Sequence, residues 1–247
     1  MSKLYAVGIG PGNKDNMTFK AYEVIKKSDV IVGYNTYVNM LNELFEKELL
    51  SEKEIISTGM GSEIERCRLA LYKASEGKTV SVICSGDAVI YGMAGLLHEL
   101  NKEYEGVLIE SVPGVTAAVS GSALVGAAVG NDFSVISLSN YLTEKDVTYN
   151  RLKMAAESDM VMVLYNPNSK ARPECLKEAC EYLLTLIDAD RVCAIAKNIG
   201  REDEDFEVLS LSKLKDTEVD MFSTVFIGCS KTVDIEGRMV TVRGYNK

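Results

Sequence analysis

The 247-residue chain lacks several features that would place it in common functional classes. It has no dense run of Lys and Arg and its formal net charge is −9, so we expect no nucleic-acid partner, because binding to a phosphate backbone usually needs a basic face. Its longest weakly polar run, residues 115–130, is shorter than the ~18 residues that a membrane-spanning helix needs. We interpret this run as a tightly packed internal helix and expect no membrane association.

Signals for export and for metal binding are also missing. Residues 1–12 contain no charged region followed by a long apolar segment, so we expect no signal peptide. The six cysteines include no Cys-x-x-Cys pair and His98 is the one histidine, so we expect no metal site. These features favour a cytoplasmic protein with its cysteines as buried thiols. We expect His98 to lie on an exposed helix without a functional role.

Apolar runs of strand length alternate with amphipathic stretches along the chain. Residues 79–84 and 107–112 are rich in β-branched residues and predict strands, whereas residues 64–74 and 173–186 have helical periodicity. This alternation predicts an α/β fold whose first half contains a mainly parallel sheet.

The second half has features of a mixed sheet. Residues 207–211 predict an edge strand, and residues 234–238 predict a hairpin turn. We therefore predict two α/β domains, 1–114 and 115–247, with the boundary next to Pro113.

Four turns follow predicted strands. They are residues 8–12, 85–87, 113–116 and 165–167. Open α/β sheets bind ligands beyond the carboxyl ends of their strands, and glycine lets a ligand approach the backbone closely. Any one of these loops could simply turn the chain. Their recurrence at successive strand ends favours a ligand cleft.

The first of these loops does not match the usual nucleotide-binding patterns. A dinucleotide fingerprint starting at Gly8 or Gly10 would need Gly or Ala where Asn13 or Asp15 stands. A Walker A lysine motif is absent. The common methyltransferase fold usually has an acidic residue two positions before its first glycine, where this chain has Ala6.

The order of the loops, however, resembles the tetrapyrrole methylase family, the class III S-adenosylmethionine-dependent methyltransferases. The matching segments are residues 7–12, 28–34, 85–88 and 112–117. The resemblance covers essentially the whole chain. It implies two α/β domains with the cofactor in a cleft between them.

Further stretches resemble the family members that methylate carbon 17 of precorrin-3B or cobalt-factor III while contracting the macrocycle. These stretches are residues 59–63, 91–95, 132–139, 164–167 and 239–245. The chain departs from that subgroup at Val89, Asn131, Cys229 and Val242, where Gly, His, Asn and Pro are common. No substrate role of the missing histidine is carried over to Asn131.

The resemblance also implies which residues contact S-adenosylmethionine and its product S-adenosylhomocysteine. They are Pro11, Ser85, Gly86, Asp87, Ile90, Thr116, Ala117, Asn166 and Gly200. Pro11 would lie at the cleft mouth beside the reacting centre, and the Asp87 carboxylate would attract the cofactor's cationic groups. Asp87 could instead form an Asx turn, and Thr116 could instead cap a helix.

Methyl transfer from a sulfonium is an in-line displacement with a neutral leaving group, so it depends on positioning rather than on a metal. The implied ring contraction, in which a substrate acetate closes a lactone, also needs proton transfers. Tyr34, Thr58 and Glu63 lie near predicted strand ends and are candidates, but each could instead be structural or solvent-exposed, and we assign no catalytic residue.

The implied substrate is an anionic tetrapyrrole. The basic residues that could meet its carboxylates are Lys14, Lys170, Arg172, Lys197 and Arg201. Each of them could also be a solvated surface charge.

The resemblance therefore implies a C-methyltransferase of cobalamin biosynthesis acting on C17, or alternatively a corrin-pathway methylase with another target carbon. A non-catalytic nucleotide-binding module and a methylase outside corrin synthesis also remain compatible with the loops. The sequence does not decide whether the substrate holds cobalt. A homodimer is expected from the resemblance alone.

Overall fold

A computed structural model describes residues 2–245 of the chain. The chain divides between Thr116 and Ala117 into two compact units. The prediction of two domains, residues 1–114 and 115–247, stays a prediction. Within residues 2–245, no helix combines the length and apolar character needed to cross a membrane.

The first unit alternates strands and helices. In chain order these are β1 (Ser2–Gly8), α1 (Phe19–Lys27), β2 (Val30–Tyr34), α2 (Asn35–Leu44), α3 (Lys47–Ser51), β3 (Glu54–Thr58), α4 (Glu63–Ser75), β4 (Val80–Cys84), α5 (Ala94–Leu100) and β5 (Val107–Val112). The five strands form one sheet in the order β3-β2-β4-β1-β5, and every neighbouring pair is parallel. The predicted parallel sheet is thereby confirmed.

Helices cover both faces of this sheet. All five residues of β4 are buried, as expected for a central parallel strand with helices on either side. Alternate residues of one strand point to opposite faces, so Val82 packs with α4 and α5 while Ile83 packs with α1 and α2. The two apolar layers hold the strand ends, and the loops that follow them, at fixed positions.

The second unit contains more antiparallel pairing. Its elements are α6 (Ala117–Val125), β6 (Gly126–Ala127), β7 (Phe133–Ser137), α7 (Lys145–Glu157), β8 (Val161–Tyr165), α8 (Cys175–Leu183), β9 (Val192–Lys197), β10 (Asp205–Ser210), α9 (Leu211–Leu214), β11 (Ser223–Ile227), β12 (Thr232–Ile235) and β13 (Arg238–Thr241). The larger sheet has the order β10-β9-β11-β8-β7, with β7 and β8 parallel and the other pairs antiparallel. The predicted mixed sheet is confirmed, and β10 lies at its edge as expected.

The prediction of one internal helix over residues 115–130 is wrong. Helix α6 ends at Val125, and the next two residues form β6, which pairs with β13. Gly126 has φ +137°, which is not helical, and a Cβ on it would lie 2.8 Å from the Met239 carbonyl oxygen. Close pairing with β13 therefore ends the helix at a position that only glycine can occupy easily.

Candidate functional site

Three glycines from different loops touch at the carboxyl edge of the first sheet. Strands β4, β1 and β5 are neighbours and run in parallel, so their carboxyl ends meet there. A Cβ on Gly114 would lie 2.1 Å from the Gly86 carbonyl oxygen and 2.7 Å from the Gly8 carbonyl carbon. A Cβ on Gly8 would lie 2.7 Å from the Gly114 nitrogen. Because neither position has room for a side chain, main chain forms this part of the edge.

The first two loops are also bridged by hydrogen bonds. The Gly10 N–H donates to the Gly86 carbonyl oxygen at 3.1 Å, and the Gly86 N–H donates to the Gly10 carbonyl oxygen at 2.7 Å. Both residues have positive φ, +77° and +66°, a conformation that glycine adopts without strain. The bridge holds the two loops in one arrangement.

Asp87 links the β4 loop to the end of β5. Its side chain is buried; Oδ2 accepts from the Gly114 N–H at 2.9 Å, and Oδ1 accepts from the Val89 and Ile90 N–H groups at 2.7 and 3.1 Å. This is the Asx-turn alternative raised from the sequence. The structure thus gives Asp87 a positioning role, while its attraction for the cofactor stays a prediction.

Apolar side chains at the tip of the same loop face solvent. Val89 is 64% exposed, Ile90 is 40% exposed and Tyr91 is 53% exposed. Behind them the loop is tight, because a Cβ on Gly92 would lie 2.3 Å from the Ala88 carbonyl oxygen. An exposed apolar tip suits contact with the flat ring of a ligand.

The other cofactor-binding residues predicted for the first unit lie in or next to these three loops. Pro11 follows the bridged Gly10 and is buried, Ser85 is partly exposed, and Thr116 is buried at the end of the unit. The structure therefore brings Ser85, Gly86 and Asp87 together with the first loop and the end of β5. Ala117 is the first residue of α6.

Asn166 and Gly200 lie at one edge of the second sheet. Strands β8 and β9 both pair antiparallel with β11, so they run in the same direction and end at the same edge. Asn166 follows β8 with φ +53°, and its side-chain N–H donates to the Ser137 hydroxyl at 2.9 Å. Gly200 follows β9 with φ +72°, and its N–H donates to Glu204 Oε2 at 2.6 Å.

Two of the acid–base candidates, Tyr34 and Thr58, contact an arginine that sequence reasoning missed. Arg66 is 4% exposed, and its Nε donates to the Thr58 hydroxyl at 2.8 Å. Its guanidinium carbon lies 5.9 Å from the centre of the Tyr34 ring. Glu63 lies one helical turn earlier, and its Oε1 accepts from the Gly61 N–H at 3.2 Å. The helical period of the sequence was the signal that could have shown the burial of Arg66, because Arg66 shares the apolar face of α4 with Ala70.

The five predicted basic residues have different surroundings. The Lys14 ammonium lies 5.3 Å from the centre of the Tyr22 ring, and the Arg201 guanidinium lies 4.5 Å from that of Phe222. Arg172 donates to the Leu138 carbonyl oxygen at 3.2 Å and lines a cavity of about 300 Å³. Lys170 is exposed, and Lys197 ends the strand that leads to Gly200. Their contacts with substrate stay predictions.

The cysteines are free thiols, and five of the six are buried, with Cys175 partly exposed. Burial raises the pKa of the Cys67 thiol to about 12 and that of Cys84 to about 11, so neither is a thiolate near neutral pH. His98 is exposed on α5, as expected. Over residues 2–245, no cluster of three or more His, Cys, Asp or Glu residues could hold a metal ion.

Comparison with known sequences assigns the chain to a family. A sequence profile described as tetrapyrrole (corrin/porphyrin) methylases matches residues 3–215. The chain belongs to this family. The family predicted from the loop order is thereby confirmed.

Individual relatives of this methylase match over nearly all of the chain. A Salmonella typhimurium protein named probable cobalt-factor III C(17)-methyltransferase is 39% identical, over 98% of this chain and 99% of the relative. A Sinorhizobium protein named precorrin-3B C(17)-methyltransferase is 35% identical, over 94% and 91%. The Priestia megaterium cobalt-factor III methyltransferase is 39% identical over 99% of this chain, which spans only 45% of that longer protein.

Solved structures show the same fold. The crystal structure of the methyltransferase CobJ matches the methylase with a TM-score of 0.89 and 29% identity, over 98% of this chain and all of CobJ. Uroporphyrin-III C-methyltransferase from Thermus thermophilus, solved in complex with S-adenosylhomocysteine, matches with a TM-score of 0.68 and 22% identity over 92% of each chain. The predicted tetrapyrrole methylase fold is confirmed.

Proposed function

We propose that this methylase transfers a methyl group from S-adenosylmethionine to C17 of precorrin-3B or cobalt-factor III, with contraction of the macrocycle. The observation that carries the proposal is similarity over nearly the whole chain to proteins named for that reaction. The alignment covers 99% of the first relative and 91% of the second.

The residues at the first carboxyl edge fit a bound S-adenosylmethionine. The contact among Gly8, Gly86 and Gly114 packs main chain against main chain, which fixes the surface at the carboxyl edge where open α/β sheets bind ligands. Asp87 holds the β4 loop against the end of β5, which keeps this surface in shape before the ligand arrives. When bound, S-adenosylmethionine supplies an electrophilic methyl on its sulfonium.

We extend the proposal to the nine residues named from the sequence. They are Pro11, Ser85, Gly86, Asp87, Ile90, Thr116, Ala117, Asn166 and Gly200. For Ser85, Gly86 and Asp87, the support is their location at the glycine contact. For Asn166 and Gly200, the support is that both follow strands which end at one edge of the second sheet.

The chemistry asked of these residues is mainly alignment. Because the leaving group departs neutral, the displacement needs no residue to protonate it, and fixed main-chain contacts suffice to orient the methyl. Ring contraction needs proton transfer as well, and Tyr34, Thr58 and Glu63 remain the candidates. Basic side chains such as Arg172 would receive carboxylates of the anionic macrocycle.

The cellular setting is part of the same proposal. We expect a cytoplasmic homodimer that binds neither nucleic acid nor membrane. Support comes from the net charge of −9 and from six free cysteines, which suit a reducing compartment.

The reaction can be tested with purified protein, S-adenosylmethionine carrying a ¹³C-methyl group, and either cobalt-factor III or precorrin-3B. We expect product with one added methyl, located at C17 of a contracted ring by NMR, and none when the methyl donor is omitted. Methylation of another carbon would favour the alternative corrin-pathway methylase. Failure to bind S-adenosylhomocysteine in calorimetry would contradict the methyltransferase assignment itself.

A further inference from the structure

Helix α4 buries the positive charge of Arg66, which pairs with no carboxylate among residues 2–245. Arg66 lies in the first turn of α4 and is 4% exposed. No Asp or Glu of residues 2–245 forms an ion pair with it. A buried guanidinium usually has an acidic partner, because removing a charge from water without one costs several kcal/mol.

Nearby acidic groups are engaged elsewhere. The Glu63 carboxylate accepts from the Gly61 N–H at 3.2 Å, and both Asp87 oxygens accept main-chain N–H groups. One oxygen of Glu63 and both oxygens of Asp87 therefore have main-chain N–H groups as partners rather than the Arg66 guanidinium. The charge of Arg66 is therefore left for a group from outside the described chain.

The hydrogen bonds of Arg66 leave one nitrogen poorly satisfied. Its Nε donates to the Thr58 hydroxyl and its Nη2 to the Gly59 carbonyl oxygen, each at 2.8 Å. Its Nη1 meets only the Met93 sulfur at 3.9 Å, and a thioether is a weak acceptor. The first two bonds orient the planar group, while the third position is filled by a flexible apolar side chain.

This nitrogen lies where a ligand is expected. Tyr34 and Thr58 are the last residues of β2 and β3, and Met93 belongs to the loop that follows β4. All three strands are parallel neighbours, so Arg66 lies at the same carboxyl edge as the glycine contact. Ligands of open α/β sheets bind beyond this edge.

We propose that Arg66 binds a peripheral carboxylate of the tetrapyrrole. This carboxylate displaces the Met93 side chain from Nη1 of Arg66. The identity of the ligand rests on the proposed function. The proposal makes Arg66 a substrate-binding residue and not an acid or base, because a guanidinium keeps its proton in proteins. A carboxylate would supply both the missing charge and the missing hydrogen-bond acceptor.

The test compares Arg66→Met with Arg68→Met. Arg68 lies on the same helix, is about half exposed at 53% of its side chain, and pairs with Glu103 at 3.5 Å, so it controls for loss of an arginine from α4. For Arg66→Met we expect the KM and the dissociation constant for cobalt-factor III to rise at least tenfold. The dissociation constant for S-adenosylhomocysteine should stay within twofold, and Arg68→Met should match the parent protein in all three.

A folded Arg66→Met variant that binds cobalt-factor III within twofold of the parent would overturn the inference. If this variant does not fold, a crystal structure of the parent protein with bound cobalt-factor III decides. A substrate carboxylate hydrogen-bonded to Arg66 would support the inference, and a guanidinium still capped by Met93 would overturn it. Binding without methylation in the parent protein would contradict the proposed function, while the binding constants would still test Arg66.

Discussion

Three residues without side chains shape the candidate cofactor site. Gly8, Gly86 and Gly114 come from loops far apart in the sequence, yet their main-chain atoms touch. Even one methyl group at Gly114 would overlap two neighbouring loops, which close-packed surroundings cannot absorb without moving. Stability and ligand binding should therefore fail together at this position.

We expect Gly114→Ala to lower the free energy of unfolding by roughly 3 kcal/mol and to weaken binding of S-adenosylhomocysteine at least tenfold. Gly95→Ala is the matched control, because a Cβ added there would meet no atom within 4 Å and the residue lies within α5. That change should stabilise the protein by about 0.5 kcal/mol. Urea unfolding and calorimetry measure both effects, and wild-type values for Gly114→Ala would show that the loops separate freely.

Single residues also mark the limit of sequence reasoning about the site. The loop order correctly indicated that Ser85, Gly86 and Asp87 follow a strand of the first sheet. It did not show that both Asp87 oxygens accept main-chain N–H groups, because those partners depend on how β4 and β5 end side by side. Arg66 was missed because an arginine on a helix is usually a surface charge.

At the scale of elements, most strands and helices follow from hydrophobic period. Strand β5 has the predicted bounds, and the other predicted strands and longer helices differ mainly at their ends. Helix α6 was predicted too long because residues 115–130 are small and weakly polar, so nothing in the sequence separates Gly126, which ends the helix, from Gly121, which lies inside it. Its end at Val125 depends on pairing between β6 and β13, more than 100 residues apart.

The start of α6 depends on a distant side chain in the same way. The Ala118 N–H, one of the first in the helix, donates to the Tyr165 phenol oxygen at 2.7 Å. The first N–H groups of a helix have no partner within the helix, so the phenol oxygen at the end of β8 satisfies one of them. Tyr165 thereby connects the helix to the end of the central strands of its unit.

Tyr165→Phe should lower the free energy of unfolding by about 1 kcal/mol, because the Ala118 N–H loses its acceptor while the ring stays in place. Tyr141→Phe, at a tyrosine that is 77% exposed, should change it by less than about 0.5 kcal/mol. Thermal and urea unfolding of the two variants give the comparison. If Tyr165→Phe were as stable as Tyr141→Phe, water would replace the phenol oxygen of Tyr165 without a loss of free energy.

At the scale of the whole molecule, buried thiols make stability depend on alkaline pH. Burial raises the pKa of Cys67 and Cys180 to about 12 and of Cys84 to about 11, and it raises that of Cys193 further, all from an ordinary value of 9.0. Above pH 9 the unfolded chain loses thiol protons that the folded protein keeps. The folded state then binds more protons, so stability falls as pH rises.

We expect the free energy of unfolding to decline between about pH 9 and pH 12, with each buried thiol contributing up to about 1.4 kcal/mol per pH unit. Below pH 9 these thiols should contribute no slope. Cys193→Ala should make the decline shallower, and Cys175→Ala at the partly exposed thiol is the control. Urea unfolding at a series of pH values measures how steeply the free energy of unfolding falls with pH. Identical slopes in both variants would contradict the assignment of this decline to the buried thiols.

The contact among the three loops also limits how the enzyme can be altered by directed evolution. A library that randomises Gly8 or Gly114 would consist mostly of inactive clones, since only glycine fits. The exposed side chains of Val89, Tyr91 and Met60, which is 65% exposed, can change without disturbing that contact. Redesign toward another macrocycle should therefore diversify those outer positions and keep the glycines unchanged.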